Sequence, residues 1–177
     1  MESYFGGIWK DDYVGQLKHS GDAVVDYINK LSPSSVLDVG CGYNRLKDRV
    51  PGLVGIDPYN KEAHLHMSLE EYYEYEFPPA DVVLCLGSIN FGTEEDIDKQ
   101  ISMLDKLFLK DIIFRVNPGI AHDWANTNID QIQWYDWNIE KINKITEEYQ
   151  YNLISLKEET TSQGHLRYFF HYAKYSR

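Results

Sequence analysis

Val36-Leu37-Asp38-Val39-Gly40-Cys41-Gly42-Tyr43-Asn44 is the stretch whose reading decides the fold. Val36 to Val39 reads as a short strand that runs straight into a turn with glycine at alternate positions, Gly40 and Gly42. Glycine lets the backbone turn sharply and lets a ligand approach with no Cβ in the way. Asn44 stands at the next alternate position, and Asn is the non-glycine residue that best tolerates a left-handed backbone. A second strand, Leu53 to Asp57, ends in an acid 19 residues beyond Asp38. That spacing suits a carboxylate that accepts both ribose hydroxyls of a nucleoside.

Working outward, the rest of the chain alternates strand-like and helix-like segments. Upstream, Ala23, Val24, Tyr27, Ile28 and Leu31 recur at helical spacing, with Pro33 after the stop. Downstream of the turn, a brief helix is expected over Arg45–Val50, halted by Pro51-Gly52, and a short third strand over His64–Met67. Ser68-Leu69-Glu70-Glu71 has the form of a capping box that opens a helix through Tyr75. Asp81–Leu86 is a continuous apolar run of the kind buried parallel strands show. Thr93, with Asp96 three residues on, caps a helix whose buried stripe is Ile97, Ile101, Leu104, Leu107 and Phe108. A fifth strand, Ile112–Val116, stops at Asn117-Pro118-Gly119, and a helix follows near Asn138–Gln150. Leu153–Lys157 and Leu166–Tyr172 close the chain as a strand–loop–strand. The expected fold is therefore α/β: a doubly wound, mostly parallel, seven-stranded sheet with a C-terminal antiparallel strand.

In such a sheet, ligands bind outside the carboxyl ends of the strands, where the strand order reverses. A dinucleotide fingerprint would place a third glycine three residues after the second, and that position is Arg45. No GxxxxGK[ST] loop occurs either. The turn favours a nucleoside ligand without a pyrophosphate.

With these residues in view, VLDVGCGYN resembles motif I of the class I S-adenosylmethionine-dependent methyltransferases. GIDPYN is similar to that family's second motif, ADVVLCLGSINFG to its fourth-strand region and KDIIFRVNPG to its fifth strand. The resemblance implies a Rossmann-like methyltransferase fold and S-adenosylmethionine as cofactor, with S-adenosylhomocysteine as product. It implies that Asp38, Gly40 and Gly42 surround the methionine moiety and that Asp57 holds the ribose, with Pro58 beside the adenine. Met67, Ser68 and Leu69 stand where the family often carries an acid for the adenine amino group. Leu86, Gly87 and Ser88 would line the sulfonium side.

Methyl transfer from a sulfonium relies largely on positioning, and a base is needed only if the acceptor must lose a proton. His122 and Asp123, after the fifth strand, are candidates for that base by placement. The expected activity is methyl transfer to a small molecule or a protein side chain. The alternative is a methyltransferase-like binding or regulatory subunit without activity.

Composition narrows the setting. The chain of 177 residues carries a net charge of −11, and it has no run of Lys and Arg, which argues against a nucleic-acid acceptor. Residues 1–177 read as one domain, with 1–19 as an N-terminal cover segment. Cys41 and Cys85 both fall in predicted core elements and read as reduced thiols, which suits the cytoplasm. No apolar stretch approaches the ~20 residues of a membrane span, and the histidines lack metal-ligand spacing. Trp124, Trp134, Tyr135 and Trp137 cluster ahead of the last helix, and Tyr4, Phe5, Trp9 and Tyr13 near the N-terminus, as candidate acceptor-facing aromatics.

Overall fold

Helix α1 (Asp22–Lys30) opens the part of the chain that the computed structural model describes, namely residues 22–118, 133–160, 164 and 166–175. Its Val24, Val25 and Ile28 are buried, as the helical spacing requires. Tyr27 ties the helix to the sheet. Its hydroxyl lies 2.7 Å from His171 Nδ1, and His171 Nε2 lies 2.7 Å from Asp111 Oδ1.

Six strands follow: β1 (Val36–Val39), β2 (Leu53–Ile56), β3 (Ala80–Leu86), β4 (Phe108–Val116), β5 (Asn152–Thr160) and β6 (Leu166–Ala173). They form one sheet in the order β2-β1-β3-β4-β6-β5. The pairs β2–β1, β1–β3 and β3–β4 are parallel, whereas β6 runs antiparallel to both β4 and β5. Helices α2 (Leu69–Glu74), α3 (Glu94–Leu107) and α4 (Ile139–Tyr149) complete the described elements. No helix among the described residues is long and apolar enough to cross a membrane.

Side chains alternate between the two faces of the sheet, and both faces are covered. Leu37, Val39, Val83, Cys85, Ile112 and Phe114 pack in the larger core with α2, α3 and α4. Val36, Val82, Leu84, Ile113 and Phe169 pack in the smaller core with α1. Burial on both faces is why β3 reads as an unbroken apolar run. Both expected capping boxes form: Ser68 Oγ accepts from Glu71 N at 3.1 Å, and Thr93 Oγ1 from Asp96 N at 3.2 Å.

Three expectations need correction. Among the described residues the sheet has six strands rather than seven, because the third strand expected at His64–Met67 is reduced to one parallel bridge, Ile56↔Leu65. The loop after β2 folds straight back, with His64 N and Leu65 N both donating to Gly55 O, so too little chain lies alongside β2 for a ladder. The helix expected at Arg45–Val50 is a series of turns. Left-handed Gly42 and Asn44 precede it and Pro51 ends it, which leaves too few residues for a nucleus. Phe108, placed on the α3 stripe, instead has extended backbone (φ −119°, ψ 146°) and begins β4.

Candidate functional site

The strand order reverses between β1 and β3, since the chain leaves β1 for β2 on one side and returns to β3 on the other. The carboxyl ends of these three strands carry the turn Gly40–Asn44, Asp57 and the loop from Gly87. Gly40, Gly42 and Asn44 have φ of +67°, +54° and +52°, so all three alternate positions are left-handed. Asn44 thus takes the conformation that glycine would take there, as its residue type suggested. Gly40 N and Cys41 N both donate to Ile56 O, at 2.9 and 3.0 Å, and this holds the turn against the end of β2.

The space beside Gly40 belongs to Ser88. A Cβ at position 40 would lie 2.4 Å from Ser88 Cβ, so the loop after β3 closes onto a residue that must have no side chain. The Ser88 hydroxyl is screened from solvent and has no hydrogen-bond partner among the described residues. Its polar neighbour is Cys85, whose sulfur is a weak acceptor. An orphaned hydroxyl at the switch point is the kind of group a ligand completes.

Asp57 closes the other side. Its Oδ2 accepts from Gly42 N at 3.0 Å, and its Oδ1 accepts from Tyr59 N and Asn60 N, both at 2.8 Å. The carboxylate thereby ties the glycine turn to the start of the next loop. Asp38 lies beneath, 4% exposed. Burial first, and repulsion from Asp57 second, push its carboxyl up to about 7. Burial, with Asp38 and Asp57 nearby, pushes the Cys41 thiol up, which disfavours its thiolate.

The Ile56↔Leu65 bridge ties the chain just ahead of Met67, Ser68 and Leu69 to the end of β2. One lone pair of Ser68 Oγ is already used in capping α2. On the opposite flank, Asn90 latches the loop after β3. Its Nδ2 donates to Gly87 O at 2.9 Å, and its Oδ1 accepts from Asn117 N at 3.0 Å. The segment 133–137 then docks on this loop. Tyr135 N donates to Asn90 O, Gly92 N donates to Gln133 O, and Trp137 Nε1 donates to Ile89 O at 2.7 Å. Of the aromatics singled out there, Trp137 is fully buried and covers the sheet, whereas Trp134 is half-buried against Phe91 with ring centroids 4.6 Å apart. His122, Asp123, Trp124 and the N-terminal Tyr4, Phe5, Trp9 and Tyr13 lie outside the described residues.

Arg115, Arg167 and Lys141 were not singled out from sequence, yet Arg115 and Lys141 are buried. The signal existed for Arg115, a cation inside the apolar run Ile112–Val116.

No protein-family model matches the chain, and no curated protein matches it. Solved structures do. The chain is similar to 1,6-didemethyltoxoflavin-N1-methyltransferase from Burkholderia thailandensis, with a TM-score of 0.75 over 99% of this chain and 87% of that one, at 10% identity. That enzyme was crystallised with 1,6-didemethyltoxoflavin and S-adenosylhomocysteine. It is also similar to magnesium protoporphyrin IX methyltransferase from Synechocystis PCC 6803 with bound S-adenosylhomocysteine, with a TM-score of 0.70 over 95% and 87% of the two chains at 18% identity. A third match is a methyltransferase from Archaeoglobus fulgidus, with a TM-score of 0.64 over 92% and 98% at 15% identity. Sheet order, the reversed β6 and these superpositions agree: the chain has the fold of the class I S-adenosylmethionine-dependent methyltransferases.

Proposed function

We propose that the protein binds S-adenosylmethionine at the switch point and transfers its methyl group to a small molecule or a protein side chain. The observation that carries this reading is the left-handed run Gly40, Gly42, Asn44 with Asp57 bonded to Gly42 N at 3.0 Å. A bare turn facing a buried acid and an unpaired Ser88 hydroxyl suits a nucleoside with a polar tail.

When bound, the cofactor supplies a methyl carbon already activated by a sulfonium. The protein's part is to bind, orient and keep out water. Gly40 and Gly42 leave room for close approach, and Asp38 lies under the turn, where burial keeps its carboxyl protonated until a cationic methionine moiety favours the ionised form. Asp57 Oδ1 is already taken by two backbone bonds, whereas Oδ2 carries one and retains an acceptor position. Asp57 therefore receives one ribose hydroxyl through Oδ2, rather than both. Pro58 flanks the adenine. Met67, Ser68 and Leu69 line its edge, with backbone groups meeting the amino group because Ser68 Oγ is engaged in the cap. Leu86, Gly87 and Ser88 form the sulfonium side. His122 and Asp123 are the candidate base for an acceptor that must lose a proton. Two free cysteines fit a reducing, cytoplasmic setting.

Calorimetry with S-adenosylmethionine, S-adenosylhomocysteine and NAD tests the site, repeated on Asp57→Asn with melting curves to check folding. The expected result is binding of the first two only, weakened at least about tenfold in a folded variant. Binding of none, or of NAD alone, overturns the reading. A labelled-methyl transfer assay on small-molecule and protein fractions of an extract then tests for turnover.

A further inference from the structure

Strand β4 keeps one charge in its apolar run, and it keeps it buried: Arg115 is 7% exposed. Its register partners are Leu86 on β3 and Phe169 on β6, so it lies level with the last residue before Gly87-Ser88. Arg167, two residues from Phe169 along β6, shares that face, and Glu159 of β5 pairs with Arg167. Glu159 Oε2 accepts from Arg115 through Nε at 2.9 Å and a terminal amino group at 2.8 Å. Arg167 Nε donates to Asn117 Oδ1 at 3.3 Å. Asn117 N donates to Asn90 Oδ1, and Asn90 Nδ2 donates to Gly87 O. A chain of hydrogen bonds thus runs along the carboxyl edge of the sheet from Arg167 to the loop assigned to the sulfonium side.

The Arg115 guanidinium pairs with Glu159, whose side chain is 30% exposed, and Arg167 lies near enough to feel the charge of both. In a chain of net charge −11, two cations thus meet on one face at the carboxyl edge of the sheet. Fold stability does not call for it, since apolar side chains at such positions avoid the desolvation cost. Burial, and then the like charge of Arg115, weaken the hold of Arg167 on its proton, with Glu159 only partly offsetting them. The Nε bond to Asn117 is the hydrogen bond that Arg167 makes among the described residues, which leaves its terminal amino groups as donors. A planar guanidinium fork with open donors matches the oxygens of a carboxylate or phosphate.

We propose that Arg167, backed by Arg115, receives an oxyanion group (carboxylate or phosphate) of the methyl acceptor, which makes the substrate class an anionic small molecule. The inference rests on the methyltransferase reading of the same sheet edge. It predicts that the anion seats beside Asn117 and the Gly87–Asn90 loop. Arg115 positions Glu159, and Arg167 touches the ligand.

The test uses the whole chain, with and without saturating S-adenosylhomocysteine. Inorganic phosphate in one arm and benzoate in the other are titrated while the Arg Nε–H resonances are followed by NMR. Wild type, Arg167→Gln and Arg167→Lys are compared, each with its melting temperature and S-adenosylhomocysteine affinity. The expected result is saturable binding of at least one anion that moves the Arg167 signal, weakened about tenfold or more in Arg167→Gln and partly restored in Arg167→Lys. S-adenosylhomocysteine affinity should not change. Tighter benzoate assigns a carboxylate acceptor, and tighter phosphate a phosphorylated one. No saturable binding of either anion to wild type, or equal binding by a folded Arg167 variant, overturns the proposal. Loss of S-adenosylhomocysteine binding by wild type would instead sink the cofactor reading, and the ligand-free titration would still decide the arginine site.

Discussion

Replacing Asp38 by Asn should change how stability depends on pH, because the native fold holds this carboxyl in its protonated form. Asp38 is 4% exposed, and burial, then repulsion from Asp57, raise its carboxyl from 3.8 to about 7. A carboxyl raised on folding binds more protons in the native state than in the unfolded chain. Its contribution is therefore fully present below the unfolded value and is lost as pH rises through about 7. At about 1.4 kcal/mol per pKa unit, the whole effect is on the order of 4 kcal/mol, and the part lost between about pH 5 and pH 8 is about 3 kcal/mol. The assay is urea unfolding of the ligand-free protein at both pH values, for wild type and for Asp38→Asn, which keeps the shape and never ionises. Titrating groups remote from Asp38 cancel in the difference between the two proteins. Wild type should lose about 3 kcal/mol more than Asp38→Asn on going from acid to alkaline pH. Equal losses would refute the claim that the glycine turn is built over a protonated acid.

Three further substitutions follow from the same geometry. Gly40→Ala places a methyl 2.4 Å from Ser88 Cβ at a left-handed position; it should cost about 2–4 kcal/mol in urea unfolding and abolish cofactor binding by calorimetry. Asn44→Ala should be less stable than Asn44→Gly by about 1 kcal/mol, since both lose the bond from Nδ2 to Glu62 O but only Ala strains the left-handed backbone; equal unfolding midpoints would contradict this. Lys141 is buried between Glu94 and Asp98, whose side chains are 56% and 43% exposed. Lys141→Met should cost no more than about 1 kcal/mol because the carboxylates rehydrate, whereas Glu94→Gln with Asp98→Asn strands a buried ammonium and should cost about 3 kcal/mol. Denaturant titration of the two variants gives that order or its reverse.

Much of the site was legible because its rules are local. Alternate small residues at Gly40, Gly42 and Asn44 imply a left-handed turn whatever surrounds them, and all three φ values are positive. Ser68 with Glu71, and Thr93 with Asp96, are partners three residues apart, so their capping boxes could be read directly. The apolar run Asp81–Leu86 could be read as a buried strand for the same reason. The short segments were less secure, since His64–Met67 and Arg45–Val50 are too brief for their own pattern to outweigh neighbouring turns.

By itself, then, the sequence determined the α/β alternation, the reversed strand near the end, and a left-handed turn at Gly40–Asn44 with an acid 19 residues beyond Asp38. Tertiary structure alone decided that Asp57 spends three of its acceptor positions on the backbone of the glycine turn and of its own loop, and that Ser88 faces Gly40. It alone brought Arg115 and Arg167 together on one face beside Glu159. The division has a physical cause. Turns, caps and periodicities depend on residues a few positions apart, whereas those meetings depend on the order and register of strands, which only the packing of the whole sheet sets.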